Sequence, residues 1–317
     1  MAVLNFGTDM EKRDFARLEN LCQFRFSEVK TIYHVCSREN HPIIFHNEEE
    51  YKVAMNIVAF VAFSCLGIRI YTFEIMDNHF HFIMSGKKED IEVFIKVLVT
   101  KLSAHPVLTS SKNDIKVLWF KYFLVESLDN LRNVISYVNR NGAVVNPDEN
   151  VFSYRWGANL YFFNREARYH YDKCSEKASF RTKREIFRSA KMDRDDRVRM
   201  LGGYVSPLCY CHITEAESFF RNNRHYFYNT SRNIESAKDI AKSIGEDVFY
   251  TDEDLFSHIH MLCSKQYDGK PVASLSPQSK IEIAKELHFE YNAGNKQICR
   301  LLKMDINVVT ALFPLNG

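Results

Sequence analysis

Apolar and polar positions follow two rhythms along this chain, and the changes of rhythm mark its elements. Thr31-Ile-Tyr-His-Val-Cys36 is β-branched and aromatic, which predicts a strand. From Glu48 to Ser64, Val53, Met55, Ile57, Val58, Phe60 and Val61 recur at helical spacing, and Gly67 closes that run. Ile68 to Met76 and His79 to Met84 read as two strand segments joined at Asp77-Asn78, residue types that favour a bend. Glu89 to Ser103 is a second amphipathic helix, ended by His105-Pro106. Lys116 to Val125 predicts another strand. Asp129 to Asn141 then predicts a helix striped with Leu131, Val134, Ile135 and Val138, with Asp129 as its N-cap.

Strand, helix, two strands, helix, strand is the ferredoxin-like order, so the fold class expected is α+β. In that arrangement helices cover one face of an antiparallel sheet and the other stays open. The remainder is mostly helical. Thr214 to Tyr226 and Asn233 to Ser243 read as helices, and Ser276-Pro277 starts a third that runs to Tyr291. Gly294 breaks the pattern; Lys296 to Leu302 and Ile306 to Phe313 follow as short helices around the turn Lys303-Met304-Asp305. Such a trio resembles a helix-turn-helix reader of DNA, with Lys296 and Arg300 as candidate contacts. The expected organisation is an arm over 1–28 with one helix, an α+β domain over 29–157, a helical and partly basic region over 158–270, and a helix-turn-helix-like unit over 271–317.

Composition narrows the picture modestly. Among 317 residues, 46% are hydrophobic and 26% charged, which is ordinary globular usage. A formal net charge of +2 means that nucleic-acid contact must come from local basic clusters. One such cluster interleaves Arg165, Arg168, Arg181, Lys183, Arg184 and Arg188 with Tyr169, Tyr171, Phe180 and Phe187, a mixture equally suited to phosphate contact with base stacking and to a solvated helix with a packed aromatic side. Eight cysteines without a repeating spacing suit reduced thiols, so a cytoplasmic protein is expected; Cys209-Tyr210-Cys211-His212 is expected to hold buried thiols rather than half a zinc site. No apolar window reaches the roughly 20 residues of a membrane span.

The candidate chemistry lies in Glu74-Ile-Met-Asp-Asn-His79-Phe-His81-Phe-Ile-Met84. Strand alternation projects His79 and His81 to one side, with Phe80 and Phe82 to the other. Two imidazoles on one face are half of a divalent-metal site, or simply two histidines on a polar sheet face. Tyr137 and Asn141 are four apart, so they share a helical face, as a nucleophile with a hard metal ligand or as a packing Tyr with a capping Asn.

Taken together, residues 30 to 157 resemble the REP-associated tyrosine transposases, single-tyrosine members of the HUH endonuclease superfamily. The resemblance rests on Tyr33-His34-Val35, then Arg38 and Phe45 before Glu48-Glu49-Glu50, then Met76-Asp77-Asn78-His79-Phe80-His81. It continues in Ser136-Tyr137-Val138-Asn139-Arg140-Asn141-Gly142 and in Pro147 onward to Phe152-Ser153-Tyr154-Arg155-Trp156-Gly157. The chain departs from the family pattern at Asp77 and Gly142, where the family has proline, at Ser136, where it has arginine, and in the reduced segment Trp119-Phe120-Lys121-Tyr122. The resemblance implies a metal-dependent single-strand DNA endonuclease or transposase. His79, His81 and Asn141 would be ligands of Mg²⁺ or Mn²⁺ and Tyr137 the nucleophile. Arg38 would belong to the DNA-contacting loop, and single-stranded or hairpin DNA would be the partner, with monomer and homodimer both open. A DNA-binding regulator that keeps the fold without cutting, and a rolling-circle initiator nickase, are the alternatives.

Overall fold

The computed structural model describes residues 9–29, 31–37, 43–109, 115, 118–145, 152–232, 234–245, 250 and 252–314. Arg38 lies outside them. The chain forms two compact units, one from 1–142 and 151–236, the other from 143–150 and 237–317. The first unit therefore runs past residue 157, the boundary expected from the sequence.

Its centre is a four-stranded sheet of β1 (Ile32–Ser37), β2 (Arg69–Ile75), β3 (Phe80–Ser85) and β4 (Phe120–Val125), in the order β2-β3-β1-β4 with every neighbouring pair antiparallel. The helices α1 (Asp9–Ser27), α2 (Glu48–Ser64), α3 (Lys88–Ala104), the single turn α4 (Pro106–Thr109) and α5 (Leu128–Val145) complete the order expected. α2 starts where the Asn47 side chain accepts the Glu50 N–H at 3.1 Å, while the Glu50 carboxylate accepts the His46 N–H at 2.7 Å. It is apolar nearly all round because it is enclosed on several sides, by the sheet, by α3 and by later segments. α5 begins at Leu128, two residues earlier than an N-cap at Asp129 implied. Ser127 caps it, with Oγ accepting the Asn130 N–H at 3.1 Å, and Asp129 instead meets Arg132 at 3.1 Å.

Strand alternation separates the two sheet faces. Phe82 packs edge-on against Phe94 of α3 at 5.7 Å between ring centres. Its neighbour His81 meets Tyr137 of α5 on the opposite side at 5.7 Å. The second face is thus covered, not open, and the expectation of helices on one face only is corrected. The reason is a buried polar chain that ties α5 down. Thr72 Oγ1 of β2 donates to Asn139 Oδ1 at 2.5 Å, and Asn139 Nδ2 donates to Tyr226 Oη at 2.8 Å. Tyr226 Oη in turn donates to Asn159 Oδ1, whose amide nitrogen returns to the Asn139 carbonyl at 2.7 Å.

The rest of this unit comprises α6 (Arg165–Cys174), β5 (Glu176–Lys177), α7 (Phe180–Phe187), β6 (Arg199–Leu201), β7 (Tyr204–Val205), α8 (Ile213–Glu217) and α9 (Asn223–Arg232). The helix expected from Thr214 to Tyr226 is two helices, α8 and α9. Cys209 and Cys211 sit where the chain adds to the edge of β2 through an Ile70–Cys211 bridge, and burial pushes both thiols' pKa up. α10 (Ile234–Ile244) spans the boundary between the units.

In the second unit α11 (Asp252–Gln266) packs with α12 (Pro277–Tyr291) and α13 (Asn295–Leu302), and α13 packs with α14 (Ile306–Leu312). Ser276 caps α12 by accepting the Ser279 N–H at 3.0 Å. The turn between α13 and α14 is where the sequence places it: Lys303 is left-handed at φ 52°, and Asp305 accepts the Asn307 N–H at 2.8 Å. Among the described residues no helix is long and apolar enough to cross a membrane.

Candidate metal and tyrosine site

Tight backbone geometry sets up the site. Met76 N–H donates to the His79 carbonyl at 2.8 Å, closing the β2–β3 connection over Asp77 and Asn78. The Asp77 carbonyl accepts from both Ile44 N–H at 2.7 Å and Phe45 N–H at 2.9 Å. Asp77 therefore serves this turn through its main chain, and burial raises the pKa of its carboxyl. His79 lies just ahead of β3 and His81 within it.

The histidines expected to act together do meet. Nε2 of His79 and Nε2 of His81 are 3.0 Å apart, and the Asn141 amide nitrogen is 3.2 Å from His81 Nε2. Two nitrogens bound side by side on one metal at about 2.1 Å stand roughly 3.0 Å apart at a right angle, so this pair fits a shared ion. A half-turn of the Asn141 amide presents its oxygen at the same place. Asn78 Oδ1 accepts the His79 Nδ1–H at 2.5 Å, which leaves the Nε2 lone pair of His79 facing the site. Burial holds His34 and His79 well below the usual histidine range and His81 at about 3, so all three rings are neutral near pH 7.

Tyr137 reaches the same cluster from α5. Its ring lies edge-on to His81 at 5.7 Å and to His34 at 6.1 Å, and the residue is 7% exposed. Tyr137 and Asn141 thus meet one histidine from adjacent turns of a single helix, within one chain. The start of that helix is anchored by Arg132. Its guanidinium donates to both Glu19 oxygens at 2.7 and 3.2 Å and to the Phe219 carbonyl at 2.8 Å. The far end is set by Gly142, whose N–H donates to Glu74 Oε2 at 2.7 Å. A Cβ at position 142 would lie 2.3 Å from the Tyr154 ring. Proline there could not donate, so Gly142 makes a contact that a proline would forfeit.

Sequence reasoning missed two members of the cluster. His34 and Cys36 occupy alternate positions of β1, and Cys36 pairs directly with His81 across the β1–β3 ladder. His34 Nε2 is 3.2 Å from His81 Nδ1, and the donor atoms of His34, Cys36 and His81 all lie within 4.8 Å of one another. This His-Cys-His group can hold a metal ion. The usable signal was the alternation Ile32, His34, Cys36, but only the strand order brings it beside His81.

The basic residues proposed for DNA contact divide. Arg165 and Arg168 line a cleft of about 960 Å³ with Phe152, Phe163 and Phe227. Arg165 is exposed there, whereas Arg168 is bonded to Glu217 at 2.6 Å. Arg181 and Arg188 are exposed. Lys183 is buried, at 4% exposure, donating to the Asp193 carbonyl at 3.2 Å, and is removed from the set of available cations. Arg184 is held bidentately by Asp193 at 2.9 and 2.6 Å. In the second unit Lys296 is exposed, while Arg300 is paired with Asp252 at 2.9 and 3.0 Å.

Comparison of the chain with protein-family models, with curated proteins and with solved structures finds no match to any of them.

Proposed function

We propose that this protein is a metal-dependent single-strand DNA endonuclease of the tyrosine transposase type, acting at hairpin-flanked sites on a ferredoxin-like HUH scaffold. The observation that carries the reading is Tyr137 and Asn141, one helical turn apart, both against His81 of the His79–His81 pair. His79, His81 and Asn141 would hold the ion, Mg²⁺ or Mn²⁺. Bound there, it supplies charge neutralisation at the non-bridging oxygens of the scissile phosphate.

The protein's own groups then perform the step. Tyr137 Oη attacks phosphorus in line, forming the tyrosyl O–P bond as the bond to the 3′ oxygen breaks. The phenolic proton is lost, and the departing 3′ oxygen takes one up. A 5′-phosphotyrosine and a free 3′-hydroxyl result, so the phosphodiester energy is kept for rejoining. The cleft with Phe152, Phe163, Phe227 and Arg165 suits unpaired bases beside a phosphate, and the α12–α14 trio suits a helix-turn-helix contact to the hairpin stem.

Incubation with single-stranded hairpin DNA and Mn²⁺ is expected to leave a covalent adduct that survives denaturing electrophoresis. Tyr137→Phe is expected to abolish it while the melting temperature stays within a few degrees; an adduct formed by that variant refutes the assignment. Burial of Tyr137 at 7% exposure favours a second reading, a DNA-binding regulator that no longer cuts. It predicts hairpin binding without adduct under any metal.

A further inference from the structure

We propose that His34, Cys36 and His81 form a second metal site, selective for Zn²⁺, that competes with the catalytic ion for His81. The argument begins with the ladder between β1 and β3, which sets Cys36 directly opposite His81 and puts His34 two residues along on the same face. Nitrogens 3.2 Å apart and donor atoms all within 4.8 Å are close to the spacings of a tetrahedral zinc site, roughly 3.3 Å between nitrogens and roughly 3.6 Å from nitrogen to sulfur.

Donor chemistry sets the preference. Two imidazoles and a thiolate suit Zn²⁺, whereas Mg²⁺ and Mn²⁺ favour oxygen ligands. On binding, the Cys36 thiol proton is released to solvent and the sulfur–metal bond takes its place. The fourth position is left for water.

Competition follows from the single lone pair of a neutral imidazole. His81 turns Nδ1 towards His34 and Nε2 towards His79 and Asn141. An ion held at Nδ1 requires the ring proton on Nε2, which removes that nitrogen from the catalytic set. Zinc at the inner site therefore inhibits cleavage. The site itself stands without the proposed function; the inhibition rests on it.

The test uses the full-length protein, stripped of metal under reducing conditions and titrated with Co²⁺ as an optical substitute for zinc. A cobalt–thiolate charge-transfer band in the near ultraviolet is expected at one equivalent, and Zn²⁺ is expected to bleach it. Cys36→Ser and His34→Gln should lose the band, whereas His79→Ala and Asn141→Ala should keep it. Thermal melts of the metal-free variants identify any that do not fold, and Cys36→Ala then replaces the serine variant.

Persistence of the band without Cys36 assigns it to other thiols and overturns the proposal. Loss of the band in folded His79→Ala does the same. In the cleavage assay Zn²⁺ should suppress the Mn²⁺-supported adduct at least tenfold, and Cys36→Ser should relieve the suppression. Wild-type protein that shows the band but makes no adduct counts against the nuclease reading alone. Adduct without the band counts against the zinc site alone.

Discussion

Removing one oxygen atom from Tyr226 should weaken the whole first unit. That hydroxyl accepts from Asn139 Nδ2 at 2.8 Å and donates to Asn159 Oδ1, and Tyr226, Asn139 and Asn159 are at most 1% exposed. In Tyr226→Phe the ring and its stacking on Phe162, 5.2 Å between centres, remain, so no large cavity forms. Two buried amide groups instead lose a partner. Each such loss costs about 1–3 kcal/mol, and partial relaxation leaves about 2–3 kcal/mol for the pair. For a unit of this size that corresponds to a melting temperature lower by roughly 4–12 °C. The assay is urea unfolding followed by tryptophan fluorescence, because Trp119 and Trp156 both belong to this unit and Trp156 is buried. The midpoint should fall with little change in slope. Asn139 lies between Tyr137 and Asn141 on α5, so adduct formation should fall with it. A stability change below about 0.5 kcal/mol would mean that water replaces the lost hydroxyl, and the account of how α5 is held would be wrong.

Two further expectations come from particular contacts. Gly142→Ala should destabilise the unit by about 2 kcal/mol or more, since its Cβ would lie 2.3 Å from the Tyr154 ring, whose hydroxyl is fixed to the Ile75 carbonyl at 2.7 Å; a thermal melt checks it. Acid should destabilise the protein partly through His225, which burial, and then the charges of Arg221 and Arg132, push down to about 4. Because the unfolded ring titrates near 6.5, the unfolded chain binds more protons between these values. Stability is therefore complete above about pH 6.5 and declines as pH falls towards 4. The ring is only partly buried, so screening limits the effect to about 1–2 kcal/mol. His225→Gln should lose less stability than wild type between pH 7.5 and 4.5 in paired urea titrations.

Much of the site was legible because it depends on local periods. The alternation in His79-Phe80-His81 and the four-residue interval between Tyr137 and Asn141 each place two side chains on one face, whatever the rest of the chain does. The turn at Lys303-Met304-Asp305 and the helix start at Ser276-Pro277 were readable for the same reason, since caps and turns are satisfied by neighbouring residues. Departures were less transparent. Gly142 reads as a lost proline until its N–H is seen on Glu74 and the Tyr154 ring is found where a side chain would be.

What only the tertiary structure decided are the non-local pairings. Cys36 and His81 are adjacent because β1 pairs with β3 in one particular register; a shift of one residue would turn His34 and Cys36 to the opposite face. Lys183 looked like one of several solvated cations, yet it is buried with its ammonium group on the Asp193 carbonyl. The face expected to be open is closed by α5 through Thr72, Asn139 and Tyr226, residues far apart in the chain. Periodicity determines which side chains share a face. Register and packing determine what that face meets, and those depend on contacts that span the chain.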